Sequence, residues 1–345
     1  MGVIATLIDL LMWPPVFYLV IFPGFIFTFV LLIILIWAER KVAGRIQMRY
    51  GPLEISPRLA GALQLVADLL RYLTQEIIIP RRADRFPYFI APIAAFVLGM
   101  LPIVAIPFSP HYYPIPMNDS ILIAAALTTI PPLLTILAGW ASNNKFSVIG
   151  GARESYLTAA YEAVILISIA SIVLAYSTLD FTKAVMLQEQ ITWGILLNPI
   201  AALAMLVGIM MATSRFPFEI VEAEPEVVMG PYTEYSGIMY GLCMGISYVR
   251  MFVYNLIFTL LFLGGWHPAG LISTGSFVVD SILVPGAIVA TKAIVLSLVM
   301  VFARSVYGRY RIDQALAAGW GFWFVIALLS LVVSIGVKAI IGWRA

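Results

Sequence analysis

Long apolar runs separated by short polar stretches recur along the whole chain, and their length decides the fold class. Eight runs, at about 15–38, 87–107, 120–140, 159–179, 191–211, 237–263, 281–302 and 317–341, are long enough to cross a hydrocarbon core of about 30 Å as helices. Within lipid each backbone polar group must find its partner inside its own segment, which selects helix. The alternating segments of about ten residues that mark an outer-membrane barrel are not seen. The pattern predicts an all-α membrane protein with residues 1–345 as one polytopic domain. One stretch has a different period. Leu59, Leu63, Val66, Leu70 and Leu73 fall on one helical face, while Gln64, Asp68, Arg71 and Gln75 line another. This predicts an amphipathic helix lying at the membrane interface, or under a docked soluble partner.

Composition agrees: the chain is 62% hydrophobic and 11% charged, with a mean hydropathy of +1.00. The few basic residues are distributed unevenly. With eight spans, the odd-numbered loops hold every Arg and Lys from Arg40 to Arg85, then Lys145, Arg153, Arg215, Arg304, Arg309 and Arg311. The even-numbered loops and the termini hold only Lys183, Lys338 and Arg344. The positive-inside rule then places the odd loops in the cytoplasm and both termini outside, in a cell (plasma) membrane. A net charge of +2 argues against nucleic acid as a partner and leaves membrane lipid as the surrounding phase. The first apolar run follows no basic segment and leads into a full span, so a cleaved signal peptide is not expected. Cys243 is the single cysteine, and His111 and His267 fall in different outer loops. That set predicts no metal, haem or iron–sulfur site on this chain.

Chemistry concentrates in the inner loops. Glu219, Glu222, Glu224, Glu226 and Glu234 crowd one connection, interleaved with Phe216, Phe218, Ile220 and Val227. A solvated acidic loop is one reading. The other is a coupled set that stores or passes protons, and the apolar residues between the carboxylates favour it. In the first inner loop Arg40, Lys41, Arg45 and Arg49 suit headgroup contacts, whereas Glu39 would be repelled there. Glu76 closes the amphipathic segment. Glu162 precedes an almost wholly apolar run and is expected to face the bundle interior. Arg250 and Lys292 lie near the middle of the sixth and seventh spans, where a charge costs about 2.5–3.5 kcal/mol unless paired or hydrated. They form either a packing ion pair or an intramembrane relay. In both cases they require carboxylate partners, with Glu162 nearest in depth. No phosphate loop, nucleophile triad or paired zinc motif is present.

Taken together these motifs resemble the H subunit of proton-translocating NADH:quinone oxidoreductase, respiratory complex I, the family of mitochondrial NADH dehydrogenase subunit 1. The resemblance is carried by Ala38-Glu-Arg-Lys41, Gly51-Pro52, Ser142-Asn-Asn-Lys145, Tyr161-Glu162, Arg215 with Pro217-Phe218, Glu222-Ala-Glu224, Thr233-Glu-Tyr-Ser-Gly237 and Arg309-Tyr-Arg-Ile-Asp-Gln314. It implies an eight-helix membrane protein beneath a hydrophilic arm whose subunits carry the flavin and iron–sulfur clusters, beside other membrane-arm subunits. Quinone would be the substrate, with no flavin, haem or cluster bound by this chain, which would not be catalytic alone. By the same resemblance Arg40, Arg49, Arg215 and Phe218 line the quinone site. Glu39, Asp68, Glu76, Glu162, Glu222, Glu224 and Glu226 form the proton path.

The chain also departs from the family. Ala212 and Ser247 stand where carboxylates are usual, Arg250 has no counterpart, and Leu53-Glu-Ile-Ser56, Glu219 and Gly308 replace the customary residues. These changes suggest a divergent, archaeal-type branch with a different electron donor. A homologous membrane subunit of an energy-converting nickel–iron hydrogenase is the competing expectation, and Gly151-Ala-Arg-Glu154 leans that way. A stand-alone transporter would show internal repeats, and none is found.

Overall fold

The computed structural model describes residues 16–22, 24–110, 115–268 and 279–344; His111 lies outside them. Among the described residues every regular element is helical. Six helical stretches among the described residues are long and apolar enough to cross a membrane, and they begin at Arg85, Ser120, Lys145, Gly237, Val279 and Ile312.

Helix α1 (Phe25–Ile46) follows a π-helical turn at Phe17–Ile21 and carries Glu39, Arg40 and Lys41 in its own second half. The expected loop start is therefore continuous helix. Helix α2 (Gln64–Thr74) falls within the predicted amphipathic segment, but it begins five residues later than Leu59, after turns over 57–63. Its apolar stripe points away from the bundle: Val66, Leu70 and Leu73 are exposed, whereas Leu65 is buried.

Helix α3 (Arg85–Met100) continues into a 3-10 turn over Leu101–Ala105, and α4 (Ser120–Thr128) runs almost directly into α5 (Ile130–Ala141). Helix α6 (Lys145–Tyr176) is 32 residues long and starts well before the expected position near 159. Asn144 caps it, its Oδ1 accepting from Phe146 N at 2.9 Å. Gly150 and Gly151 look like loop residues in the sequence. Here Gly150 lets the helix touch the 230 turn, where a Cβ would lie 2.6 Å from Gly230 Cα.

A short helix, α7 (Phe181–Gln190), fills the next connection. The expected span at 191–211 resolves into a four-residue turn at Gly194–Leu197 and α8 (Pro199–Ala212). At 14 residues and about 1.5 Å per residue, α8 alone is shorter than a hydrocarbon core. Helix α9 (Gly237–Phe262) is the most enclosed element, with an unbroken buried run from Val249 to Phe262. Helix α10 (Val284–Val306) follows, and a short helix at Ile312–Leu316 leads through a π-helical turn at Ala317–Trp323 into α11 (Phe324–Arg344).

Helix α9 sits against α3, α8 and α10. Helix α1 packs on α10, and α6 is flanked by α5, α8 and α11. Small polar residues join helices at depth: Asn255 donates to Ser297 Oγ at 2.7 Å, and Asn198 to Ser334 Oγ at 2.8 Å. Such pairs are each worth about 0.6–2 kcal/mol in a bilayer.

Candidate functional site

Three charged groups meet where the C-terminal parts of α1 and α10 approach the loop after α8. Glu39 is 3% exposed and Arg215 4%. Glu39 Oε1 accepts from Arg215 Nη1 at 2.7 Å and from Arg304 Nη1 in a second short contact. Arg304 in turn faces Glu219 Oε2 at 3.6 Å. The line Arg215–Glu39–Arg304–Glu219 alternates in sign and sums to zero, which offsets the cost of burying its Arg215–Glu39 half, while Arg304 and Glu219 keep contact with solvent. The Arg215 guanidinium also stacks over the Tyr248 ring at 4.5 Å. Its Nε and Nη2 have no protein partner. Glu39 and the nearby Tyr248 hydroxyl hold this guanidinium protonated although burial opposes it.

The acidic connection surrounds that line. Glu226 is exposed and bridges Arg153 at 2.5 Å and Arg309 at 3.5 Å. Glu224 is exposed. Glu222 keeps some solvent contact, yet burial and then the Glu219 carboxylate push its carboxyl up to about 7, against Arg215, which pulls it down. Burial likewise raises Glu219. The fold of the connection depends on Gly230 (φ +54°): a Cβ there would lie 2.0 Å from Val221 O. Interleaved apolar residues mark this loop as more than a solvated run, and Phe218, Ile220 and Val227 are indeed buried.

A cavity of about 370 Å³ opens between α1, α2, α3 and α9, lined by Phe29, Leu65, Phe96, Gly241, Gly245 and Tyr248 among others. Arg40 and Asp68 lie at its rim, 2.6 Å apart. A second cavity, of about 590 Å³, shares Tyr72 and Tyr240 with the first and reaches Glu76 and Tyr232. At Gly237 (φ +56°) the backbone passes so close to the end of α2 that a Cβ would sit 2.9 Å from Gln75 O. Ser236 Oγ accepts from Ile78 N at 2.8 Å. These contacts fix the wall between the two spaces.

Of the four expected quinone residues only Arg40 is in these linings; Arg49, Phe218 and Arg215 are not. Arg49 is exposed and donates to Gln47 Oε1 at 2.9 Å. Phe218 is buried against Tyr310, with ring centroids 5.6 Å apart. Arg215 reaches the first cavity through Tyr248.

The intramembrane cations have partners other than those expected. Arg250 pairs with Glu154 at 3.3 Å, not with Glu162. Glu154 falls in an expected loop, and only the early start of α6 carries it into the bundle. Lys292 has carbonyl partners instead of a carboxylate: its Nζ donates to Leu263, Gly265 and His267 O at 2.7, 2.8 and 2.5 Å. It ties down the turn that follows α9, from the C-cap Leu263 to His267. Glu162 is buried as expected and accepts from Tyr254 at 3.3 Å. His267 faces Glu189 at 3.3 Å. No group of three or more His, Cys, Asp or Glu suited to a metal occurs among the described residues.

The fold and site define a helical membrane protein with an ion network and two neighbouring cavities at one end of its helices. The model of the family "NADH dehydrogenase" matches residues 18–335. The NADH-quinone oxidoreductase H subunit of Dehalococcoides mccartyi strain CBDB1 is 35% identical over 317 residues, 92% of this chain and 85% of that protein. The H subunit of Geobacillus sp. strain WCH70 is 34% identical over 87% of each chain. That of Carboxydothermus hydrogenoformans is 31% identical over 89% of this chain and 85% of its own length. The chain belongs to the NADH dehydrogenase family, as an H subunit of complex I, one piece of an oxidoreductase and not catalytic alone.

Proposed function

We propose that this chain forms the quinone-binding wall of a complex I-type NADH (or other reduced donor):quinone oxidoreductase and starts the path that couples quinone reduction to proton translocation. The cavity between α1, α2, α3 and α9 carries the proposal. Its aliphatic and aromatic lining suits an isoprenoid tail, and the Arg40–Asp68 rim with the nearby Tyr248 and Arg215 offers donors to a polar head. Two-electron reduction of a quinone takes up two protons and places negative charge beside the Glu39–Arg304–Glu219 line. Glu222, raised to about 7, is then half-protonated near neutrality and answers a nearby charge most steeply. In this reading Glu39, Asp68, Glu76, Glu162, Glu222, Glu224 and Glu226 carry protons. Arg40 and Arg215 serve the quinone, and Arg49 sits on the surface that meets the hydrophilic arm. The relatives' names carry quinone, which supports this reading over the hydrogenase one.

All eight apolar segments span the bilayer in this proposal, as one domain. Helix α8 gains its length from the turn before it, and α1 from the turn at Phe17–Ile21. The outward stripe of α2 lies in the interface. The inner loops face the cytoplasm of a plasma-membrane complex. There they dock cluster-bearing subunits that bring electrons, since the site on this chain is built of carboxylates, guanidinium groups and aromatics. Gly245→Leu tests the proposal, because a Cβ at that position already comes within 2.8 Å of Phe96 and the longer side chain fills the cavity. Quinone reduction by the assembled complex should fall sharply while electron transfer to a soluble acceptor persists. Normal quinone turnover in the variant would exclude this cavity.

A further inference from the structure

Deeper than the loop network, one buried cation lies among two buried carboxyl groups. Arg250 Nη1 donates to Glu154 Oε1 at 3.3 Å, and its Nη2 donates to the Tyr161 hydroxyl at 2.7 Å. That hydroxyl donates to Glu154 Oε1 at 2.9 Å. One turn further along α9, Tyr254 donates to Glu162 Oε1 at 3.3 Å. Arg250 and Glu154 both act electrostatically on Glu162. Glu154 is 2% exposed, Arg250 6% and Glu162 9%.

We infer that Glu154, Arg250 and Glu162 form a store for a single proton, exchanged between the two carboxyl groups and held between them by the guanidinium. This rests on the proposed coupling role. The charge count drives it. With both carboxyls ionised the trio is −1, with one proton it is neutral, and with two it is +1. Net charge in a buried, low-dielectric setting is strongly disfavoured, so the one-proton state dominates. Two carboxyls sharing one counter-charge titrate as a unit, and the proton belongs to the pair.

A simple structural lock would need only Arg250 and Glu154. The second buried carboxyl adds a desolvation penalty without satisfying the first pair. Moreover, Glu162 Oε2 and Arg250 Nε both lack protein partners, so each keeps an atom free for a different protonation arrangement. Position supplies direction. Glu154 is close enough to Glu222 for their charges to interact, and Glu162 lies eight residues further along α6, about 12 Å by helical rise. A proton arriving from the loop carboxylates forms an O–H bond on Glu154. Discharge breaks that bond and forms one on Glu162. Nothing is oxidised or reduced, and Arg250 remains a cation throughout as a positioning residue.

The test uses the whole complex in sealed vesicles, with protons moved and electrons transferred recorded together. Glu154→Gln leaves Glu162 as the permanent counter-ion of Arg250, so the ratio of protons to electrons should fall, and Glu154→Asp should restore it. Adding Arg250→Gln to Glu154→Gln frees Glu162 to hold a proton again, so the double variant should recover a higher ratio than the single one. A merely structural pair predicts the opposite order. A wild-type ratio in Glu154→Gln, or a double variant no better than the single, overturns the inference. If Glu154→Gln does not assemble, Glu162→Gln is the mirror test, and an unchanged ratio there overturns it equally. Inhibitor-sensitive quinone reduction by the wild type separately tests the underlying reading, and the ratios are compared with quinone as the electron acceptor.

Discussion

Replacing Glu39 by Gln isolates the contribution of the central ion network. The carboxylate oxygen Oε1 serves two guanidinium groups, and the Glu39 and Arg215 side chains are 4% and 5% exposed. An amide keeps the shape and one acceptor but removes the charge between two cations. Arg215 already has two N–H groups without partners, so it cannot recover by reorienting towards existing ones. Removing one partner of a buried pair costs about 3–5 kcal/mol, roughly a 10²- to 10³-fold or larger shift in the opening equilibrium. Arg40–Asp68 is a control of the same chemistry with its Arg side chain 42% exposed. An exposed pair of that kind is worth at most about 1 kcal/mol. The sole cysteine supplies the assay. Cys243 is buried on α9 between Gly241 and Gly245, and its alkylation in membranes, read by mass on this chain, reports local opening. Glu39→Gln should raise its labelling rate by two orders of magnitude or more, and Asp68→Asn by less than about tenfold. Equal effects from the two variants would refute the assignment of Glu39 as the buried keystone.

Two other outcomes can be checked in the same preparation. Burial, and then the Glu219 carboxylate, push the Glu222 carboxyl up to about 7 from an ordinary 4.5. The folded state therefore binds that proton more tightly, so its contribution to stability is complete below about 4.5 and is lost as pH rises through about 7. Thermal unfolding of wild type should show this decline across that window, and Glu222→Gln should flatten it; an unchanged slope would remove Glu222 from the coupled set. Lys292→Met leaves three carbonyls in the turn after α9 without their donor. It should lower thermal stability without changing the pH profile of turnover, whereas a displaced profile would return Lys292 to a proton relay.

How much is legible in the sequence depends on which force decides each element. Apolar length alone identifies the helical class and locates α3, α9 and α10 to within a few residues, because lipid leaves helix as the only option. It misplaces the start of α6, because Gly150, Gly151, Arg153 and Glu154 carry the composition of a loop. Gly150 is there to admit the 230 turn, a tertiary reason invisible to a hydropathy window. That displacement hides Glu154, and with it the partner of Arg250. Lys292 is recognisable as a buried cation but not by its partners, since backbone carbonyls at a distant helix end leave no mark in side-chain sequence. Conversely, the interleaved Phe218, Ile220 and Val227 correctly signal that the acidic connection is folded into the protein. The Glu39–Arg215 pair spans 176 positions; the family resemblance assigns the two residues to different roles, the proton path and the quinone site, so their pairing is not legible in the sequence.

The most direct test of the account is photolabelling of the intact complex with a quinone analogue bearing a reactive group on its tail, followed by mapping of the modified residues on this chain. The account predicts labels on the facing walls of α1, α2, α3 and α9, at residues such as Phe29, Leu65, Phe96 and Ile238, and their loss in Gly245→Leu. Labels confined to the outer faces of α10 and α11, unchanged by that substitution, would contradict it.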